Sequence, residues 1–209
     1  DPLMAIATLV EPEYQKKMNK RIQSRLRAAH LRGCPQELSN CIDSAEREYL
    51  PRGITETLAA LDFIDSGLNV CILGPSDSGK SYLAKALGIV ACNNYKVEYH
   101  HCETLLETLV ALKAQDYSKY QKRLKKICGA ALLILDDFLL HTITDEREVK
   151  VLFEILEKRC EINLSTIICS QREPASWSSM ILNDEVSANA ILKRATKHYT
   201  VVIKPNITD

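Results

Sequence analysis

One segment of the sequence restricts the possible folds more than any other. Residues 74–81 read Gly-Pro-Ser-Asp-Ser-Gly-Lys-Ser and satisfy the pattern G-x-x-x-x-G-K-[ST]. The segment comes directly after the short apolar run 70–73 and directly before the helical run 82–91. A strand, a glycine-containing loop and a helix in this order are the context in which the pattern binds phosphate. The sequence therefore predicts a P-loop domain of the α/β class.

The loop offers both backbone and side-chain ligands for a triphosphate. Glycine permits close approach and positive φ, so successive N–H groups can surround phosphate oxygens, and the following helix adds its partial positive charge. Lys80 is predicted to reach the β and γ phosphates, and Ser81 to ligate Mg²⁺. Strand, loop and helix in sequence argue against an accidental glycine turn. The predicted ATP ligands are Gly74, Pro75, Ser76, Asp77, Ser78, Gly79, Lys80 and Ser81.

A second motif places two carboxylates after a buried strand. The apolar run 132–135 is followed by Asp136 and Asp137, the form of a Walker B strand. Open α/β sheets bind ligands at the carboxyl edge, where these residues would lie. We expect Asp136 to bind ATP-associated Mg²⁺ through its water shell, and Asp137 to orient or deprotonate the attacking water. Two aspartates can also cap the next helix, but the upstream P-loop favours the metal site.

Short apolar runs alternate with amphipathic segments through the rest of the chain. Strands and helices that alternate in this way indicate a parallel sheet covered by helices on both faces. We predict five strands in that sheet, at 70–73, 97–99, 132–135, 165–169 and 200–203.

The formal net charge of the sequence is zero, but basic residues are concentrated in two segments, 16–32 and 119–126. In the first, apolar residues recur at the period of an amphipathic helix: Tyr14, Met18, Ile22, Leu26 and Ala29. We interpret these segments as contacts to the phosphates of duplex DNA, and the alternative is a solvated helix packed on the main domain. The predicted DNA-binding residues are Lys16, Lys17, Lys20, Arg21, Arg25, Lys119, Lys122 and Arg123.

Composition excludes several other classes of protein. No apolar run approaches the roughly 20 residues that span a bilayer, and the first 12 residues lack the features of a secretory signal. We therefore expect a cytoplasmic protein with no membrane contact. The eight cysteines include no Cys-x-x-Cys pair. His100, His101 and Cys102 are adjacent, but neighbouring side chains on a strand point to opposite faces and no second cluster matches them.

Three later segments resemble a known family. The stretch 166–172, Trp177 and the run 190–194 resemble the IstB and DnaC group of AAA+ ATPases, and are most like IstB. The resemblance covers residues 68–203, about two thirds of the chain. It implies an AAA+ core with a parallel sheet flanked by helices, which we place at 51–209 after a small helical, basic segment at 1–50. AAA+ proteins often have a helical lid after the core, and we expect none here because the chain leaves no room for one.

The resemblance also implies roles for residues outside the two motifs. Ser170, with Gln171 as the neighbouring candidate, corresponds to the sensor-1 group that contacts the γ-phosphate or the attacking water. Arg194 corresponds to the arginine finger, which reaches the nucleotide of an adjacent subunit, and the alternative is a surface arginine on a helix. The chain departs from the family at Asp77, usually glycine, and at Asp137, often glutamate. We expect the first to repel triphosphate unless it points away, and the second to slow hydrolysis.

The implied function is a DNA-stimulated ATPase that uses ATP and Mg²⁺. It would assemble on duplex DNA as a ring or helical filament through the nucleotide interface, and act with a cognate transposase as a transposition helper in target selection. A replicative helicase loader of the DnaC type is the nearest alternative. A small-molecule P-loop kinase is a less favoured alternative, because it would need a substrate pocket and commonly an arginine-rich lid, and the sequence shows no such lid. The last alternative is a nucleotide-binding platform that does not hydrolyse ATP.

Overall fold

A single twisted sheet organises the computed structural model, which describes residues 2–181 and 185–206. Within these residues the sheet has six strands in the order β1-β6-β2-β5-β4-β3. The strands are β1 (Arg47–Leu50), β2 (Val70–Leu73), β3 (Val97–His101), β4 (Leu132–Asp136), β5 (Ser165–Ser170) and β6 (Tyr199–Pro205).

The helices lie on both faces of this sheet. They are α1 (Pro2–Ala28), α2 (Ile54–Ala59), α3 (Asp62–Asp65), α4 (Lys80–Ala91), α5 (Cys102–Gln115), α6 (Tyr117–Cys128), α7 (Glu146–Glu161) and α8 (Glu185–Ala195). Short 3-10 turns occupy Leu38–Asn40 and Pro174–Met180. Among the described helices, none is long and apolar enough to cross a bilayer.

The five predicted strands form the parallel part of the sheet. β2 pairs with β5 and β6, and β4 pairs with β3 and β5, in each case parallel. Alternate residues of one strand enter different cores: Ile134 faces the layer of α4, whereas Leu133 and Leu135 face the layer of α5, α6 and α7. Both faces are therefore covered, as the alternation of apolar and amphipathic segments predicted.

The prediction of five strands is wrong by one, because β1 adds an antiparallel edge strand to β6. This strand also lies inside the segment predicted to be helical. Its sequence is Arg-Glu-Tyr-Leu, and only Tyr49 is buried. A half-exposed edge strand needs no continuous apolar run, so its residues gave no signal.

Helix α1 contacts the core near its carboxyl end. Tyr14 is 57% exposed, whereas Ala29, just beyond the helix, is fully buried. Arg25 Nη1 donates hydrogen bonds to the carbonyl oxygens of Cys92 at 3.3 Å and Asn93 at 2.5 Å. These carbonyls follow the last turn of α4, where a cation is favourable. Arg25, predicted as a DNA contact, therefore fastens α1 to α4.

A buried arginine connects the helical layer with the sheet. Arg159 of α7 is 1% exposed, and its Nε donates to Thr166 Oγ1 at 3.0 Å. The rest of the guanidinium donates to backbone carbonyls at the end of α6 and the start of β5. These belong to Ile127, Cys128, Ala130 and Ser165. Burial lowers the pKa of Arg159 to about 10, so the group stays charged at neutral pH and is satisfied by dipoles.

Candidate nucleotide-binding site

The phosphate-binding loop joins β2 to α4 and requires glycine at two positions. Gly79 has a φ of 101°, and a Cβ there would lie 2.5 Å from Arg47 Nη1. A Cβ on Gly74 would lie 2.6 Å from the Ile203 carbonyl oxygen. Beneath the loop, Ser78 Oγ is buried and has no hydrogen-bond partner among the described residues. A narrow cradle with an unpaired buried donor fits a phosphate group.

Asp77 occupies the loop position where the resembled family has glycine. Its φ is 59°, in the left-handed region that glycine enters freely and that aspartate tolerates better than most residues. The carboxylate is exposed and accepts a 3.4 Å hydrogen bond from Ser76 Oγ. Asp77 therefore preserves the glycine-like backbone of the loop, and its negative charge borders the cleft.

The two side chains that end the loop are fixed by neighbours. Lys80 is 6% exposed, and its Nζ donates a 2.6 Å hydrogen bond to the Pro75 carbonyl oxygen. Burial lowers the pKa of Lys80, and the charges of Asp136, Asp137 and Asp77 only partly oppose that shift. Ser81 Oγ donates to Asp136 Oδ1 at 3.0 Å. The pair predicted to bind Mg²⁺ is therefore in contact.

Asp136 is completely buried at the end of β4, and three donors hold its carboxylate. Besides Ser81, the Asp137 N–H donates to Oδ1 at 3.1 Å, and Tyr99 Oη donates to Oδ2 at 2.5 Å. Burial, and then the bond to Asp136, raise the pKa of Tyr99 far above its ordinary value, so the phenol remains a donor. Tyr99 was not predicted, because it lies on the neighbouring strand β3, 37 residues before Asp136 in the sequence.

Asp137 faces a histidine from the adjacent strand. Its φ is 53°, and its Oδ2 lies 2.9 Å from His101 Nδ1. His101, Asp136 and Asp137 present ligand atoms within 4.8 Å of one another. The sequence indicated no second cluster near the histidines, whereas the fold places the aspartate pair beside His101. His100 points the other way, 2.9 Å from Glu98, as strand alternation requires.

Ser170, the predicted sensor-1 residue, is the last residue of β5. Ser170 is completely buried; its hydroxyl donates to the Phe138 carbonyl oxygen at 2.8 Å and accepts from Arg172 N–H at 3.1 Å. This hydroxyl orders the turn after β5, and the sensor-1 role of Ser170 stays a prediction. The neighbouring candidate, Gln171, lines the cleft.

A cleft of about 360 Å³ lies over the loop. Its wall combines the motif residues Lys80, Ser81 and Asp137 with Arg47 and Tyr82, which the sequence did not indicate. Arg47 arrives from the unpredicted strand β1. Tyr82 is fixed through its hydroxyl, which accepts hydrogen bonds from Glu37 N–H and Asn40 Nδ2 at 3.2 and 3.1 Å.

Arg194 lies on α8 and packs against α7 of its own chain. Its Nη1 donates to the Ala190 carbonyl oxygen at 3.0 Å. Its Nη2 lies 3.5 Å from Glu157 Oε1, and the guanidinium is 4.8 Å from the Phe153 ring centroid. The Arg194 side chain does not line the nucleotide cleft of its own chain. Its role as an arginine finger stays a prediction.

The predicted DNA-binding residues divide into exposed and paired groups. Lys16, Lys17, Lys20 and Arg21 are exposed on α1. On α6, Lys119 pairs with Asp116 at 3.3 Å and Arg123 with the buried Glu98 at 3.6 Å. Lys122 is exposed, and no carboxylate of the described residues pairs with it.

A family model described as IstB-like ATP binding protein matches residues 3–206. The chain belongs to this family. It is therefore an ATP-binding protein with an AAA+ fold, and the resemblance seen in the sequence is confirmed.

Two relatives are named as insertion sequence ATP-binding proteins. The first, y4uH of Sinorhizobium fredii, is 40% identical to this IstB-like chain over 190 residues, covering 90% of the chain and 74% of the relative. The second, from the insertion sequence IS21 of Pseudomonas aeruginosa, is 28% identical and covers 94% of the chain and 79% of the relative.

Solved structures support the fold of the IstB-like chain. The DnaC helicase loader superposes with a TM-score of 0.63 at 20% identity, covering 82% of this chain and 98% of that chain. AMPPCP-bound DnaA from Aquifex aeolicus superposes with a TM-score of 0.66 at 22% identity, covering 82% and 51%.

Proposed function

We propose that this IstB-like protein hydrolyses ATP with Mg²⁺, assembles on duplex DNA and acts with a transposase as a transposition helper. The arrangement of Asp136 and Asp137 supports the enzymatic part most directly. Asp136 is held by Ser81 and Tyr99 for metal binding, while Asp137, one residue later, lines the cleft. Two adjacent carboxylates therefore have separate environments and separate roles.

The chain's own groups divide the work of hydrolysis. The loop N–H groups and Lys80 would bind and orient the phosphates, and Ser81 and Asp136 would hold Mg²⁺, which neutralises charge between the β and γ phosphates. Asp137 would orient the attacking water and accept its proton. Gln171 would supply the polar contact expected of sensor 1, because its neighbour Ser170 is occupied within the turn.

Assembly requires a contribution from a second copy of the chain. Arg194 of α8 packs against α7, away from its own cleft, so a single protomer would lack the last cation of the site. Arginine fingers contribute roughly 10³ to 10⁵ in rate in well-studied phosphoryl-transfer systems. Contacts of this head-to-tail kind form rings if they close and filaments if they do not.

The comparisons support the DNA and transposase parts of the proposal. The relatives are named as insertion sequence proteins, and a DnaA structure that superposes on the chain was solved with single-stranded DNA. The exposed cations of α1 suit the phosphates of any duplex sequence. All eight cysteines are free thiols, which suits the reducing cytoplasm.

Mixing two inactive variants tests the proposal. Lys80→Ala has an intact finger, and Arg194→Ala has an intact nucleotide pocket, so mixed interfaces on duplex DNA should regain part of the ATP turnover. Lys193→Ala, next to the finger and exposed on the same helix, is the matched control and should keep its activity. If folded, co-assembled mixtures stay inactive at every ratio, Arg194 does not act between subunits.

Helicase loading is the second candidate, favoured by the superposition that covers 98% of the DnaC chain. Measuring ATP turnover with duplex and with single-stranded DNA separates the two. Stronger stimulation by duplex DNA supports the transposition helper, and stronger stimulation by single-stranded DNA supports the loader. No turnover with either DNA would support the non-hydrolysing platform.

A further inference from the structure

Arg47 lies where two pockets meet beside the phosphate-binding loop. It lines the cleft of about 360 Å³ that covers the loop. It also lines a second pocket of about 270 Å³, whose other residues include Asn40, Ile42, Ser44 and Glu46. Tyr82 borders both pockets as well. The hydrolysis proposed above assigns no role to Arg47, although its charge faces the space that a nucleotide would occupy.

The pairing of β1 brings Arg47 to the level of the loop. β2 and β6 run parallel, with Leu73 opposite Val202. Arg47 pairs with Pro205, three residues further along β6. Its guanidinium therefore lies against Gly79, where an added Cβ would be 2.5 Å from Arg47 Nη1 and 3.6 Å from its Cζ. Gly79 is the N-cap of α4, and the N-terminus of a helix after such a loop is where phosphate oxygens bind.

The position of Arg47 is fixed by its backbone, while its charge is hardly neutralised. The Arg47 N–H donates to Ser44 Oγ at 3.3 Å, and its carbonyl oxygen accepts from the Ser44 N–H at 2.8 Å. Within the described residues its carboxylate partner is Glu46, at 3.7 Å and 83% exposed at the side chain. An exposed pair of this kind contributes little. The guanidinium thus remains available to an anion in the cleft.

The order of the strands decides which part of a nucleotide Arg47 would meet. Asp137 follows β4 and Gln171 follows β5, so both reach the cleft from one side of the loop. Arg47 comes from β1, on the other side, next to the second pocket. A triphosphate with its γ-phosphate beside Asp137 would therefore have its α-phosphate and nucleoside toward Arg47.

The carboxylates of the site call for a second cation. Burial lowers the pKa of Lys80, and three aspartates lie close enough to influence it: Asp136, Asp137 and Asp77. Asp77 lines the same cleft as Arg47. A guanidinium on the loop offsets this negative charge and presents a planar pair of donors to phosphate oxygens.

We propose that Arg47 binds the α-phosphate of the nucleotide within its own subunit, which adds a ligand to the ATP site of the function proposed above. This contact supports the affinity of a loop that carries Asp77. ATP and ADP both have an α-phosphate, so Arg47 would hold the nucleotide before and after hydrolysis. Its task differs from that proposed for Arg194, which would act on the rate from an adjacent subunit.

The first test compares the two nucleotides. Arg47→Gln should lower the affinity for ATP and for ADP by the same factor, about 10-fold, as expected for one charged hydrogen bond at a partly exposed site. KM for ATP should rise, whereas kcat at saturating ATP should stay within about twofold, because uniform binding is lost. Arg47→Lys should recover part of the affinity, since it keeps the charge and loses the planar fork.

The matched control is Arg52→Gln, which removes an arginine beyond the other end of β1. Arg52 is 82% exposed at the side chain and pairs with Glu48 at 3.3 Å, so its variant should bind both nucleotides like the wild type. Calorimetric titration measures the affinities. Unchanged affinity in Arg47→Gln, or a loss for ATP alone, would overturn the contact with the α-phosphate.

The second test separates a phosphate contact from simple neutralisation of Asp77. Asp77→Gly keeps the loop backbone, because the φ of 59° is one that glycine enters freely. In this background Arg47→Gln should still lower ADP affinity. If the loss disappears, Arg47 only offsets the carboxylate and the proposed contact is wrong. Because these titrations use ADP, they decide on Arg47 even for a chain that does not hydrolyse ATP, a result that would contradict the proposed function alone.

Discussion

The carboxyl edge of the sheet and the basic face of α1 hold their charges in opposite ways. At the edge, Lys80 and Asp136 are buried and each already has a partner within the chain. On α1, Lys16, Lys17 and Lys20 are exposed and have no ion-pair partner among the described residues. The first region presents a preformed site, and the second presents exposed, unpaired positive charge to a large ligand.

This difference predicts how each region responds to substitution. A buried charged group is surrounded by others arranged for it, so its removal should be costly and limited to one step of the reaction. Exposed cations act on DNA through their summed electric field and the counterions that binding releases. Replacing them one by one should therefore weaken DNA binding gradually and additively, by an amount that depends on salt.

Lys80→Ala should have the largest effect. The variant loses the one cationic side chain of the loop, and a charge-assisted hydrogen bond contributes about 1.5–3 kcal/mol. With two phosphates contacted, ATP affinity should fall by about 100-fold or more. Calorimetric titration with ATP measures this, and Lys96→Ala, which changes an exposed lysine just before β3 at the amino edge of the sheet, should match the wild type. Unchanged affinity would contradict the site assignment.

Asp137→Asn should come next, and should separate binding from chemistry. Lys80, Ser81 and Asp136 remain, so ATP affinity should stay near the wild-type value. Turnover should fall by about 100-fold, within the 10²–10⁴ range of general-base catalysis. Asp145→Asn makes the same chemical change at the N-cap of α7, where asparagine also caps well, and should retain activity. Equal loss in both variants would remove Asp137 from the mechanism.

The α1 substitutions should give a smaller effect that is spread over several residues. Replacing Lys16, Lys17, Lys20 and Arg21 with glutamine should flatten the salt dependence of DNA binding, each lost phosphate contact removing about 0.9 from the slope. Turnover without DNA should not change, because these side chains are remote from the cleft. A slope equal to the wild-type value would show that α1 is a packing element only.

Substitutions on α6 should have the smallest effects on DNA binding. They allow an unpaired lysine and a paired lysine to be compared within one helix. Lys122→Gln should lower the DNA salt slope by about 0.9 if Lys122 contacts a phosphate. Lys119→Gln should lower it less, because Lys119 is already paired with Asp116 at 3.3 Å. The two variants make the same substitution on exposed lysines three residues apart. A larger effect at Lys119 would contradict the proposed influence of pairing.

The sequence predicted what is contiguous along the chain. The P-loop and the strand before Asp136 are uninterrupted segments, and each carries its ligands and its structural context together. The five parallel strands were found for the same reason, because strands covered on both faces are short apolar runs.

Contacts between distant segments could not be predicted in this way. β1 exists because residues 47–50 pair with 202–205, and Arg47 reaches the cleft only through that pairing. Arg25 looked like the other basic residues of α1 until its contact with the end of α4 was visible. Likewise, nothing in the sequence near Ser170 shows that Phe138 and Arg172 use its hydroxyl.

Arg159 has a mechanical consequence. Its guanidinium fastens the carbonyls at the end of α6 to Ser165, the first residue of β5. The opposite end of that strand leads into Gln171 at the cleft. The other end of α6 meets α5 at Asp116, whose backbone is extended, with φ −151° and ψ 94°. Because one side chain holds both elements, we expect a displacement of the end of α6 to be shared with the first residue of β5, while Asp116 separates α6 from α5.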